Sequence, residues 1–273
     1  MRERTASVLA RTALGWLVAV VMVFPVFWMA LAAFKTELDA IASPPLLFFT
    51  PTLENFAEMQ RRVDYLAHAW NSVAVSFGST ILAVLIATPA AYSIAFFPTR
   101  RARSVLLWML STKFMPAAGL LVPIYLLLIR ATLLDTRTGL LLITLLSNLP
   151  LVVWMLYSYF KEISPEILEM ARMDGARPLQ QLRFVLLPLA APGVASTALL
   201  AVILSWNESF WCINVTAVHA GTLALVIASF SNPEGFFWAK LSAASLASVA
   251  PIMIFGWLTQ RQLVRGLTFG AVK

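Results

Sequence analysis

The stretch of residues 169–188 reads E-M-A-R-M-D-G-A-R-P-L-Q-Q-L-R-F-V-L-L-P, which is polar and charged within an otherwise apolar chain. It lies between two hydrophobic segments that are each long enough to cross a membrane. A polar stretch in that position must face water. We therefore expect it to form a structured loop at the membrane surface and to meet a partner there.

The composition indicates an integral membrane protein. The chain has 273 residues, of which 60% are hydrophobic and only 12% are charged, and its mean hydropathy is +0.82. Soluble domains carry about 25% charged residues. The net charge of +7 does not indicate nucleic-acid binding, because the basic residues lie in short loops beside apolar segments and form no basic domain.

Six segments have the length of about 20 mostly apolar residues that a helix needs to cross a bilayer. They are residues 12–34, 69–97, 104–129, 139–160, 184–206 and 241–263. The sequence therefore predicts an all-α, polytopic membrane bundle of six transmembrane helices. The first segment also has features of a secretory signal, but it is longer than a signal's apolar region, so we expect it to stay as a span.

The loops set the predicted orientation. If the N-terminus is inside, Lys and Arg in the inner loops outnumber those in the outer loops by roughly two to one, as the positive-inside rule requires. Both termini and the loop at residues 161–188 are therefore expected to be cytoplasmic.

Local signals predict two short helices inside that loop. Ser164 and Pro165 suit a helix start, with Ser capping the free amides and Pro at the first helical position. Gly175 comes where this helix ends, since a left-handed residue after a helix favours Gly. Pro178 begins the second helix. An amphipathic helix lying on lipid is disfavoured, because the apolar face is short and the charges are mixed.

Glu169, Ala171 and Gly175, followed by Val185, Leu187 and Pro188, resemble the E-A-A-x3-G-x9-I-x-L-P signature of the membrane subunits of ABC importers. The chain departs from it at Met170, which stands where the signature has its first Ala. Methionine is flexible, so we expect docking to survive this change. The resemblance implies a single type I ABC importer permease domain over residues 1–273, with residues 161–188 as its coupling loop.

The same resemblance implies the partners. These are two ABC ATPase subunits, a second homologous permease, an extracytoplasmic solute-binding protein and membrane lipid, in a bacterial inner membrane. ATP and Mg would be bound by the ATPase, and this chain would carry no cofactor and would not be an enzyme. The residues expected to couple to the ATPase are Glu169, Met170, Ala171, Asp174, Gly175, Ala176 and Pro188.

Further motifs resemble the carbohydrate-uptake branch, namely the second, shorter maltose-type permease. They are Asn71-Ser72, Pro89-Ala90-Ala91-Tyr92, Asp135-Thr136 and the glycine-containing tail from Leu263. Residues 48–56 and 231–240 are similar to sorbitol/mannitol (polyol) permeases. The expected substrate is therefore a sugar or sugar alcohol.

Two outer loops are long. Residues 35–68 include a predicted short surface helix at 53–59. Residues 207–240 are rich in aromatic side chains, which fits either an interfacial aromatic belt or a re-entrant loop that docks an extracytoplasmic partner.

Candidate residues for the substrate path are Lys113, Asn148, Trp206, Asn207 and Glu208. Lys113 is an ionisable group within a predicted span, which suggests function, although a lysine near a span end can also snorkel to the interface. For Asn148 a hydrogen bond between helices is the favoured alternative. The group at 206–208 fits either sugar binding or a membrane boundary.

The sequence lacks the motifs of other functional classes. No Gly is followed by Lys, so the chain has no phosphate-binding P-loop, and no catalytic constellation or metal-binding cysteine pattern is present. A stand-alone secondary carrier of small polar solutes remains the alternative function, but acidic residues are almost absent from the spans, and such carriers usually need them.

Overall fold

A computed structural model gives the fold of residues 2–231 and 237–268, with side chains described for residues 8–231 and 237–259. The tail from Leu263 and residues 232–236 contributed to the resemblances above. Both lie outside the ranges for which side chains are described. The described part of the chain contains helices and no strand.

The helices follow in chain order and vary widely in length. They are α1 (Arg2–Ala33), α2 (Glu37–Ala40), α3 (Glu54–Arg62), α4 (Tyr65–Phe96), α5 (Ala102–Thr112), α6 (Ala117–Arg130), α7 (Arg137–Lys161), α8 (Pro165–Met173), α9 (Pro178–Gln180), a π-helical turn (Gln181–Leu186), α10 (Leu187–Trp206), α11 (Phe210–Val215), α12 (Leu223–Phe230) and α13 (Trp238–Thr268). The predicted surface helix is α3, and α11 and α12 lie within the aromatic loop.

Five helices within the described residues are long and apolar enough to cross a membrane. They correspond to five of the six predicted spans. α9, the π-helical turn and α10 run on as one helix, Pro178–Trp206, so this helix begins earlier than residue 184, where the predicted span starts. Counted as one broken span, the pair α5 and α6, which meet at an angle of 90°, makes the sixth.

The segment predicted as a span over residues 104–129 is therefore divided into two helices. The break falls at Lys113–Pro116, where Lys113 ends α5 and Pro116 has an extended backbone with ψ 122°. Proline has no N–H to donate and disfavours helical geometry at the preceding residue, Met115. Lys113 thus lies at a break in the span and not inside a helix.

The described residues form two compact units, one made of residues up to Tyr65 with Val226–Ala250, the other of Leu66–Leu225 with residues from Pro251 onward. The second unit contains a buried apolar cluster drawn from α4, α5, α7, α8, the π-helical turn and α10. α4 contributes Ala83, Ala87, Ala91 and Ala95, which are spaced four residues apart on one face. The polar loop is therefore anchored in the same cluster as residues from four of the spans.

The first unit has a different character. Most side chains of α1 from Val8 to Phe27 are exposed and apolar, as expected of a helix that meets lipid or another subunit. Below it, Lys35 is buried, and its ammonium donates to the Leu46 carbonyl at 2.6 Å. The Asn55 amide donates to the carbonyls of Ala33 and Lys35, which fixes α3 against the end of α1.

α7 and α10 pack closely where Gly193 faces Tyr159. A Cβ atom at Gly193 would lie 2.5 Å from the Tyr159 ring, so Gly193→Ala forces the helices apart. We expect a loss of about 1–3 kcal/mol of stability, the usual cost of overpacking. The thermal midpoint of the detergent-purified protein measures this.

Gly256→Ala on α13 is the matched control, because a Cβ at Gly256 meets nothing within 4 Å. It should leave the midpoint unchanged or raise it slightly, since Ala is the better helix former. Equal midpoints for the two variants would contradict the close approach of α7 and α10.

Candidate functional site

The 161–188 loop is closed at its tip by backbone hydrogen bonds. α8 ends at Met173, and Gly175 follows with φ +84°, in the left-handed region. The Gly175 N–H donates to the Arg172 carbonyl and the Ala176 N–H donates to the Ala171 carbonyl, each at 2.9 Å. This is a Schellman motif, which satisfies the last carbonyls of a helix. The predicted role of Gly175 as the helix terminator is confirmed.

The N-termini of the two helices in this loop are stabilised differently. Pro165 occupies the first turn of α8 as predicted, but the Ser164 side chain makes no capping hydrogen bond, so that part of the prediction was wrong. At the second start the Arg177 N–H donates to the Gln180 side-chain oxygen at 2.8 Å, and Pro178 begins α9.

The loop enters the membrane-spanning helix through the π-helical turn Gln181–Leu186. In this turn the Leu187 N–H donates to the carbonyl of Leu182, five residues earlier. Pro188 follows directly and has no N–H for a regular helical bond. A wider turn just before Pro188 accommodates this missing donor.

The loop exposes one face and buries the other. Leu168 is 1% exposed and belongs to the apolar cluster, whereas Met170 and Met173 are 59% and 88% exposed. Glu169, Asp174 and Gly175 are exposed, and Ala171 and Ala176 are partly buried beside the bend. Pro188 is exposed but lies at the start of α10, apart from the tip in sequence.

We define the exposed tip as Glu169, Met170, Met173, Gly175 and Leu179. Sequence reasoning missed Met173 and Leu179, which are exposed apolar side chains on either side of the bend. The spacing of Met170 and Met173, three residues apart on α8, was the available signal. Exposed apolar side chains on a rigid element are typical of a protein-binding surface.

A second candidate site is a cavity of about 500 Å³ where α5 and α6 break. Most of its lining is apolar, and the polar exceptions include Lys113, Ser147 and Glu208. The indole of Trp211 forms part of one wall. Ligand pockets commonly combine an apolar lining with a few polar groups that fix orientation.

A chain of hydrogen bonds connects this cavity to the interior. The Lys113 ammonium donates to the Ser147 carbonyl at 2.7 Å and to the Asn148 side-chain oxygen at 3.4 Å. The Asn148 amide donates to the Ser205 hydroxyl at 3.0 Å, and the Ser79 hydroxyl donates to the same oxygen at 3.2 Å. These bonds join the α5–α6 break to α7, α10 and α4.

The structure brings some predicted path residues together and leaves others apart. Lys113 and Glu208 line the cavity, and Asn148 supports Lys113 while bridging helices. Trp206 and Asn207 do not line it. The Asn207 amide donates to the Ile203 carbonyl at the end of its own helix. Trp211, in the next helix along the chain, supplies the aromatic surface in their place.

Ser79 and Ser205 were missed, because a lone serine in an apolar helix usually bonds to its own backbone, and Ser147 was missed because it contributes its backbone carbonyl. The only sequence signal was the clustering of Ser76, Ser79 and Thr80 on α4.

Asp135 holds a neighbouring loop. Its carboxylate accepts hydrogen bonds from the backbone N–H groups of four consecutive residues, 217–220, at 2.8–3.2 Å. The Asn71 amide donates to the carbonyls of His219 and Gly221, and Arg137 donates to the Asn71 oxygen at 2.6 Å. The loop after α11 is therefore fixed by the side chains of Asn71 from α4 and of Asp135 from the turn before α7.

These bonds shift the acidity of Asp135. Burial alone raises the pKa of its carboxyl, but the four backbone N–H groups favour the charged form more strongly and hold the pKa below its ordinary value of 3.8. Among the described residues, no group of three or more His, Cys, Asp or Glu side chains is placed to hold a metal ion.

Comparison with known proteins gives consistent matches. A profile of the family described as "Binding-protein-dependent transport system inner membrane component" matches residues 87–265. The chain is 33% identical over 271 residues to a probable ABC transporter permease protein, y4oR, of Sinorhizobium fredii, covering 99% of this chain and 98% of that protein. It is 31% identical to the trehalose transport system permease protein SugB of Mycobacterium tuberculosis, covering 97% and 99%.

The fold is also found in solved structures. A chain of a bacterial ABC transporter that imports the acidic polysaccharide alginate matches with a TM-score of 0.75 and 21% identity, covering 96% of this chain and 98% of that one. A chain of the MetNI methionine ABC transporter in an inward-facing conformation matches with a TM-score of 0.61 and 20% identity, covering 74% and 95%. The described helices therefore have the type I importer permease fold.

The Asp135 bonds predict a pH-dependent loop. Because the folded-state pKa is lowered, the carboxylate stabilises the loop above about pH 4, and this contribution is lost as the pH falls through that lowered pKa. Hydrogen exchange of the amides of residues 217–220 should stay protected from neutral pH down to this range, after correction for intrinsic rates.

Asp135→Asn should exchange these amides faster at neutral pH and lose the added acid dependence, because a neutral amide oxygen is a weaker acceptor than a carboxylate. Asp39→Asn on α2 is the control and should change neither property. Equal protection in Asp135→Asn and the unmodified protein would show that Asn71 alone fixes the loop.

Proposed function

Since this chain belongs to the binding-protein-dependent transport system inner membrane components and is a multi-pass sugar permease subunit of an ABC importer, we propose that it moves a sugar or a sugar alcohol such as sorbitol or mannitol. Transport proceeds by alternating access, in which ATP binding to separate subunits shifts the spans between inward-open and outward-open states. The observation that carries this mechanism is the exposed tip, closed by its Schellman motif and anchored among the spans.

The exposed tip is the proposed ATPase contact. Met170, Met173 and Leu179 present apolar surface to a cleft on the partner, and Glu169 and Asp174 add charge at its edge. Ala171 and Ala176 keep the bend narrow, and Pro188 ends the loop at the membrane. Because α8 packs through Leu168 into the apolar cluster, a push on the tip reaches the spans.

The proposed assembly contains this chain, a second homologous permease, two copies of the ATPase and an extracytoplasmic solute-binding protein. A relative of this fold, the alginate transporter, has been solved in complex with an alginate-bound periplasmic protein. The exposed apolar face of α1 fits contact with lipid or with the second permease. We propose that residues 1–273 act as one transmembrane permease domain, with residues 161–188 as its coupling loop.

The cavity at the α5–α6 break is the proposed part of the substrate path. The Lys113 ammonium and the Glu208 carboxylate can exchange hydrogen bonds with solute hydroxyls, and the Trp211 indole offers an apolar wall to C–H groups. Asn148 and Ser205 hold Lys113 in place from the interior. This combination suits a neutral polyhydroxylated solute better than an apolar one.

Recovery of partners tests the assembly. A tagged copy purified from its native membrane should bring with it an ATPase, a second permease and a solute-binding protein. Gly175→Val should lose the ATPase while staying in the membrane, because a β-branched side chain disfavours the left-handed backbone at φ +84°. Gly175→Asn is the matched control and should retain the ATPase, since Asn tolerates this conformation.

Two results would overturn the proposal. If the unmodified chain is recovered alone and moves solute into liposomes without ATP, the protein is a stand-alone secondary carrier. If Gly175→Val and Gly175→Asn recover the ATPase equally well, the closed bend is not what the ATPase recognises.

Lys113→Met tests the substrate path. We expect uptake of radiolabelled sorbitol or mannitol to fall about tenfold or more, the effect of losing hydrogen bonds to a charged group. Recovery of the ATPase should not change, because Lys113 lies outside the 161–188 loop. Arg130→Met, at the exposed end of α6 and outside the cavity lining, should transport normally. Normal uptake in Lys113→Met would remove the cavity from the path.

A further inference from the structure

Gln181 is a buried polar residue at the point where the 161–188 loop becomes a membrane-spanning helix. It is 1% exposed. Its side-chain amide donates to the Ala176 carbonyl at 2.7 Å, on the far side of the bend. Its side-chain oxygen accepts from the Tyr92 hydroxyl at 3.1 Å and from Arg172 Nε at 3.3 Å. Both the amide N–H and the carbonyl oxygen of the Gln181 side chain therefore form hydrogen bonds.

The partners of Gln181 come from separate parts of the chain. Tyr92 lies in the last turns of α4, 89 residues earlier, Arg172 lies in α8, and Ala176 follows the bend. Arg172 also places its guanidinium 4.9 Å from the centre of the Phe97 ring, just after α4 ends. We call these five residues, Tyr92, Phe97, Arg172, Ala176 and Gln181, the Gln181 junction.

The junction depends on the chemistry of glutamine. A neutral carboxamide carries a hydrogen-bond donor and an acceptor on the same carbon atom, so one side chain offers both without burying a charge. Methionine has nearly the same length but would leave the Tyr92 hydroxyl and the Ala176 carbonyl without this partner. In a low-dielectric interior, hydrogen bonds between such polar groups are strong. A polar group left there without a partner costs free energy.

This arrangement determines how a movement of the loop reaches α10 and α4. The chain itself connects α8 to α10, so a displaced tip pulls on α10 through covalent bonds. α4 has no such connection to the loop, because more than 60 residues separate Phe96 from Pro165. The polar and cation–π contacts of the junction link the end of α4 to α8 and to the first turn of the helix Pro178–Trp206.

We propose that Gln181 is a positioning residue that makes α4 follow the coupling loop, so that one ATPase movement displaces the cytoplasmic ends of α4 and α10 together. This inference rests on the proposed function of the loop. Without the junction, the ATPase still docks on the exposed tip and hydrolyses ATP, but less of its movement reaches the substrate path.

The test compares transport with hydrolysis in the reconstituted full complex. The variants are Gln181→Met, which removes all three hydrogen bonds of the side chain, and Tyr92→Phe, which removes the hydroxyl that α4 contributes to Gln181 and Arg172. Tyr157→Phe is the matched control, since Tyr157 packs at the edge of the same apolar cluster and contacts Trp154. Recovered ATPase, ATP hydrolysis, and sorbitol or mannitol uptake are measured for each.

We expect both junction variants to recover the ATPase and to hydrolyse ATP at the unmodified rate, while solute moved per ATP falls about threefold or more. Tyr157→Phe should match the unmodified complex. Adding Tyr92→Phe to Gln181→Met should cause little further loss, because Gln181→Met already removes the Tyr92–Gln181 bond and leaves the Tyr92 hydroxyl only its contact with Arg172. If Gln181→Met fails to assemble, Tyr92→Phe alone decides the question.

Two outcomes would overturn the inference while leaving the proposed function intact. An unchanged ratio of solute to ATP in Tyr92→Phe would show that α4 does not need the junction. A loss of ATPase recovery in parallel with uptake in that variant would show that the junction only shapes the docking surface. Failure of the unmodified chain to recover any ATPase would instead reject the proposed function itself.

Discussion

The lack of water in the bilayer core is the constraint on which this structure depends. Each backbone N–H and carbonyl at membrane depth needs a partner within the protein, and a continuous helix supplies one for nearly all of them. Where the chain leaves helical geometry, side chains take over. In the loop after α11, outside the predicted spans, the Asp135 carboxylate accepts from the N–H groups of residues 217–220, and the Asn71 amide donates to the carbonyls of His219 and Gly221.

The sequence predicted the features that are local. Span number and approximate position follow from runs of apolar residues, and the bend in the 161–188 loop follows from Gly175 after a short helical pattern. The break in the helix at Lys113–Pro116 could not be predicted from the sequence in this way. Pro25, Pro89, Pro150, Pro192 and Pro251 all lie inside continuous helices, whereas Pro116 begins a new one. What a proline does here depends on neighbouring helices, which a pattern along the chain does not contain.

The two candidate sites divide in the same way. The tip is formed by residues close in sequence, so most of it could be identified, with Met173 and Leu179 added by their exposure. The cavity and the Gln181 junction join residues up to 126 positions apart, such as Ser79 and Ser205. Serine and glutamine are common, and nothing in one sequence distinguishes a residue that bridges two helices from one that bonds within its own turn.

The Schellman motif at Gly175 also affects how often the loop can be used. The carbonyls of Met170, Ala171 and Arg172 are already paired within the loop, by N–H groups of Asp174, Gly175 and Ala176. A partner that covers and then uncovers the tip thus removes little water from those backbone groups and need not replace their bonds. For the proposed ATPase contact, repeated attachment and release would therefore cost little in desolvation of the backbone.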